Sequence, residues 1–233
     1  MKNPFRFSIL PFFTMGAGGI GLCLRLWLFS AIDEKGLLPA SHPAELLLYI
    51  LTAVVLGAVF LASRETTPSP FPRGFRQIAE IVGNLVCCIC LLVYGLTENG
   101  VLLSMIFCVV GSILLLLAAL FSFKKKSLPY GLAAALTVVL MVITVTRCRA
   151  WGAIPQLQYY FFPLLASIFL ILSAYYRTVL AAKQGKRKHL AFFSQGALFF
   201  CCVSLSSDPI LSFGLGCWAA VQLFPCYHTK KEP

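Results

Sequence analysis

Residues 101–126 read VLLSMIFCVVGSILLLLAALFSFKKK, a run of 23 positions without a charge that ends on three lysines. About 20 mostly apolar residues are needed for a helix to cross the hydrocarbon core of a bilayer. A lysine run at the end of such a stretch marks where the chain returns to water. Working outward, seven more segments meet or approach the same length: 8–30, 44–63, 77–96, 128–147, 157–180, 190–206 and 209–227. The chain therefore reads as an all-α polytopic membrane protein with eight transmembrane helices. The last two segments are separated only by a short polar break of Ser204, Ser206, Ser207, Asp208 and Pro209.

Composition leads to the same class. Of the 233 residues, 59% are hydrophobic and 12% charged. Soluble domains carry roughly 45–50% apolar and about 25% charged residues. A chain this small could not hide so much apolar surface from water. The stretch after Lys2 and Arg6 runs on to about Ser30 without a small-residue cleavage site, so it is expected to stay as the first helix rather than leave as a signal peptide.

A net charge of +11 suits either nucleic acid or an anionic membrane face. The distribution of the charge favours the membrane and makes no case for nucleic acid. With the N-terminus inside, 15 Lys and Arg fall on inner segments, and only Arg25, Lys35, Arg147 and Arg149 fall outside. Lys and Arg collect in cytoplasmic loops. Both termini are thus expected in the cytoplasm, with the basic loops, Lys183 to His189 above all, facing anionic headgroups. A seven-helix count would place Lys230 and Lys231 outside, against that trend.

The chain also suggests two parallel four-helix repeats, 1–126 and 127–233. Arg25-Leu26-Trp27 ends the first helix and Arg149-Ala150-Trp151 the fifth, each followed by a stretch carrying Gly and Pro. At an offset of 113, Arg64 falls on Arg177, Gly83 on Gly196 and Cys88 on Cys201. Parallel repeats of this kind build some transporters, with sites between the repeats.

The candidate site residues follow from the cost of charge in a membrane. Arg25 and Arg149, beside Trp27 and Trp151, are the candidates for holding a carboxylate or phosphate, since a guanidinium offers a fork of donors. The alternative is that both snorkel to the outer headgroups beside interfacial tryptophans. Glu45, at the start of the second helix, is a candidate partner for Arg25. Glu80 is the acid placed within a helix, and is a coupling candidate or a local partner of Arg76 at i,i+4 spacing. Asn84, Gln195 and Gln222 are expected to hydrogen-bond between helices.

Other patterns point away from chemistry. Gly16-x-Gly18-x-x-Gly21 matches a dinucleotide fingerprint in letters, but it lies inside a membrane helix and reads as a close helix contact. Cys87, Cys88 and Cys90 fan around a helix and lack a second ligand pair at zinc spacing. The three histidines form no ligand pattern, and no metal or cofactor is called for. No Walker loop or nucleophile elbow occurs. The leading expectation is permeation or transport of a small, anionic solute. A non-catalytic membrane subunit or lipid-interacting scaffold is the alternative, and an enzyme acting on a lipid-borne substrate is the third. Compact loops and the charge bias suit a bacterial cytoplasmic membrane.

Overall fold

A computed structural model describes residues 5–32, 42–63, 73–97, 102–124, 128–151, 159–185 and 187–223. Helices dominate these residues and no strand occurs among them. They are α1 (Phe5–Ser30), α2 (Pro43–Ala62), α3 (Arg73–Thr97), α4 (Leu102–Phe123), α5 (Tyr130–Trp151), α6 (Phe161–Ala181), α7 (Arg187–Ser204) and α8 (Pro209–Val221). Each expected segment corresponds to one helix. The acidic turn at Asp33 and Glu34, the Pro-rich linker with Arg64, Glu98, Lys125 and Lys126, Gly152 to Pro155, and Lys230 and Lys231 lie outside the described residues.

Local signals account for several helix ends. His42 Nδ1 accepts from the Ala44 amide, and Pro43 follows at the first helical position, where its missing N–H costs nothing. Lys183 takes a left-handed backbone with φ of 62° just past α6, where the Gln184 amide donates back to the Val179 carbonyl. α1 continues through Pro11, and the Thr14 hydroxyl donates to the carbonyls of Leu10 and Pro11.

Six helices, α1 to α6, are long and apolar enough to cross a membrane. α7 is more polar, and α8 is a 13-residue helix among the described residues. The reason for α7's polarity is its position. It packs against α6, α1, α8 and α2, and its buried positions run from Leu190 through Ser204. A helix surrounded by protein has no need of an apolar outer face.

The packing draws a ring. α3 lies against α4, α4 against α5, α5 against α6, α6 against α7, α7 against α8, and α8 back against α3. The α1–α2 hairpin docks outside this ring, chiefly through α1 on α7. At that contact, Cβ atoms on Gly18 and Gly21 would fall 2.6 Å from Cys202 Cβ and 2.7 Å from Val203 Cγ2. The small residues thus let two backbones approach, as expected for membrane helix pairs. Gly16 and Gly19 face open space.

The ring differs from the outline of two equivalent four-helix units. Gly83 on α3 receives Val221 of α8, whereas Gly196 on α7 receives Phe169 of α6. α6 lies broadly on α7, and α2 has no comparable seat on α3 among the described residues. The positions that align in sequence therefore meet different neighbours.

Around an apolar core, the outside is apolar as well. Arg25, Asn84, Arg147, Gln195 and Gln222 are buried, while Leu46, Leu61, Ile78, Ile89, Leu96, Leu102 and Ile113 are exposed. Soluble monomers rarely show contiguous apolar patches above a few hundred Å². This surface is compatible with an integral membrane protein whose solvent is lipid.

Candidate functional site

Polar side chains gather at both ends of the ring. The first gathering is built on the short break between α7 and α8. Asp208 stands at the N-cap position of α8 but does not cap it with its side chain. Its carboxylate instead pairs with Arg147 of α5 across the ring. The guanidinium of Arg147 lies 4.7 Å from the centroid of Trp151 and 5.8 Å from that of Tyr94, so two aromatic faces complete its seat.

Arg25 enters the same region from α1 and is 1% exposed. It donates to the Tyr159 carbonyl at 2.6 Å, to Ser207 Oγ at 2.8 Å and to the Val203 carbonyl at 3.5 Å. Phe29 and Phe162 lie 5.1 and 5.5 Å from its guanidinium carbon. The two seats adjoin at the α7–α8 break, where Ser207 accepts from Arg25 and the next residue, Asp208, pairs with Arg147.

The site residues expected from the sequence divide here by helical phase. Arg25 is buried, and Trp27 is 48% exposed and meets His42 edge-on. Trp151 is half-buried and stacks on Tyr160 at 5.4 Å. Arg149 is exposed, and the buried arginine of α5 is Arg147. Glu45 accepts a hydrogen bond from Tyr49 Oη at 2.9 Å. The signal for Arg147 was present in the sequence. It stands four residues after Ile143, on the face that α5 buries through Leu136, Val139, Leu140 and Ile143.

The second gathering lies at the opposite end. Arg177 of α6 donates to Gln222 Oε1 at 2.6 Å and lies 3.9 Å from Glu80 Oε1 of α3. Ser122 of α4 is 3.4 Å from the other Glu80 oxygen, and Gln77 donates to the Ser122 carbonyl at 2.9 Å. Glu80 therefore reaches across the ring to Arg177. Asn84, one turn further along α3 and 1% exposed, has no hydrogen-bond partner for Nδ2 among the described residues. It lines a cavity with Arg177, Trp218 and Gln222 whose roughly 10 Å³ has room for about one water.

Between the two ends the ring is apolar. Cys87, Leu91, Leu115, Leu136, Leu140 and Leu215 close around a second gap of about 10 Å³. Cys87 is buried here and behaves as a small apolar side chain. Among the described residues no group of three or more His, Cys, Asp or Glu is placed to hold a metal ion. Gln195 of α7 accepts from Thr14 of α1 at 2.6 Å, and Ser173 and Ser194 meet at 2.8 Å between α6 and α7. These are interhelical ties at ring level.

Comparison of the chain with protein families, with curated proteins and with solved structures finds no match.

Proposed function

We propose that the chain crosses a bilayer eight times with both termini in the cytoplasm, and that its six-helix ring passes a small anionic solute. The observation that carries this reading is the pair of cross-ring ion pairs, Arg147–Asp208 and Arg177–Glu80, with an apolar segment between them. Charges facing a bundle interior commonly mark a substrate path, and hydrophobic constrictions close a pore by excluding water. Each pair would act as a gate at its own end, and the described state would be closed at both.

The anionic preference rests on two buried guanidiniums at the outer end, Arg25 and Arg147. An arriving carboxylate or phosphate would compete with Ser207 for the first and with Asp208 for the second. Trp151 and Tyr160 would flank its entry. At the inner end, Asn84 Nδ2 supplies a buried donor beside Arg177. As the acid facing Arg177, Glu80 is the residue put forward for coupling movement to an ion gradient. The path lies within the ring rather than between two four-helix halves, and Arg149 takes the role of an outer headgroup anchor. A bacterial cytoplasmic membrane is the proposed setting, on the charge of the loops.

A non-catalytic subunit is the second reading. It draws on the protein acceptors already bound by Arg25, which suit a structural knot as well as a vestibule. An enzyme working on a lipid-borne substrate draws the least support, because Asp208 is held by Arg147 and Glu45 accepts from Tyr49.

The test is exchange in proteoliposomes loaded with labelled phosphate or with a series of small carboxylates. Wild-type vesicles are expected to exchange at least one of these faster than empty vesicles, and Arg177→Gln to lose that exchange while staying folded. If folded wild-type protein moves none of them, and a thiol reagent never reaches Cys87 under any gradient, the transport reading falls and the subunit reading replaces it.

A further inference from the structure

A sizeable opening lies outside the ring. It is a cavity of about 600 Å³ between the C-terminal end of α2, the later half of α6 and the start of α7. Phe60, Ser63, Tyr176, Lys188, His189, Phe192 and Phe193 line it. Small-molecule sites commonly measure about 300–1,000 Å³. It exists because α2 stands mainly on α1 and touches α7 over a short stretch, so its end splays from α6 and α7.

The walls are divided chemically. Along the bundle the cavity is aromatic: Phe60 and Phe192 meet edge-on at 5.9 Å, and Tyr176 stacks on Phe193 at 5.2 Å. At its mouth stand Lys188, which is exposed, and His189, which packs edge-on to Tyr176 at 5.1 Å. The first turn of α7 carries no acid. Its leading amides have no acceptor within the helix and favour an anion in front of them. Arg187 adds a further cation to that turn.

The geometry points to this cavity as a discrete binding site for one anionic phospholipid. The phosphate sits against Lys188, His189 and the α7 N-terminus, and the upper acyl chain lies on Phe60, Phe192 and Phe193. Charge complementarity and the polar-to-apolar order along the cavity select the occupant. A soluble anion would leave the aromatic wall uncovered, and a neutral lipid would bring no net negative charge to Lys188. Basic pockets between transmembrane helices at the cytoplasmic side recognise anionic headgroups in this way.

The test is the melting temperature of the purified full chain in a neutral detergent, with phosphatidylglycerol, phosphatidylcholine or inorganic phosphate added. Phosphatidylglycerol is expected to raise it by about 5 °C near saturation, and the other two by much less. Lys188→Glu, on an exposed side chain, and the double variant Lys188→Gln/His189→Gln are expected to lose that preference. Lys124→Gln, exposed on α4 away from the cavity, should keep it. Equal stabilisation by both lipids, an equal effect of phosphate alone, or a preference that survives the Lys188 variants would each overturn the site. None of these outcomes depends on whether the ring transports anything.

Discussion

The two ends of the ring hold the same kind of ion pair in different surroundings. Arg147 and Asp208 are 6% and 29% exposed, Arg177 and Glu80 12% and 22%. Around Arg147 stand aromatic faces, which attract a cation but cannot take over a carboxylate's hydrogen bonds. Around Arg177 stand an amide and, near its acid, a hydroxyl, which can. The first pair also adjoins Arg25, which Ser207 holds beside Asp208. The first end is therefore the tighter latch of the two, and the second has polar neighbours that can take up hydrogen bonds as it rearranges. Under the transport reading the second end opens more readily.

Removing the Asp208 carboxylate should have the largest effect. Asp208→Asn leaves buried Arg147 without its ionic partner, and breaking a buried pair costs about 3–5 kcal/mol. Denaturation in detergent measures this. The double change Asp208→Leu/Arg147→Met should recover much of the loss, because paired apolar replacements remove the desolvation penalty. If Asp208→Asn melts with the wild type, the latch is not a latch and the contrast between the ends disappears.

Glu80→Gln should cost less than Asp208→Asn, since the pair is longer and Gln222 still accepts from Arg177. The same denaturation assay reads it. A loss equal to that of Asp208→Asn would make the ends equivalent, and the preference for opening at the Arg177 end would go with it.

Much of the fold was legible because membrane helices announce themselves by length. Eight apolar segments became eight helices, and the small residues Gly18 and Gly21 marked where α1 meets α7. What one-dimensional matching could not supply was neighbours. Gly83 and Gly196 align by offset, yet one receives α8 and the other α6. Nor could the break after Ser204 be weighed by hydropathy. A polar interruption looks like a weakness in a span, but here it places Ser207 on Arg25 and Asp208 on Arg147. The site's chief acid therefore sat in the segment that read most poorly.

The smallest effect separates two matching triplets. Arg25-Leu26-Trp27 and Arg149-Ala150-Trp151 share letters but not phase. Residues two apart on a helix point about 200° away from each other, so only one of Arg and Trp can face the bundle. In α1 the arginine faces in and the tryptophan out. In α5 the tryptophan faces in, four residues from Arg147, and Arg149 faces out. Arg149→Ala should therefore change stability by no more than about 0.5 kcal/mol, as surface substitutions do, whereas Arg147→Ala strands Asp208 and should cost several times that. Were Arg149→Ala the more damaging of the two, the last turn of α5 would have to be rotated. Arg149 would then rejoin Arg25, and the ion pair at this end of the ring would belong to a different arginine.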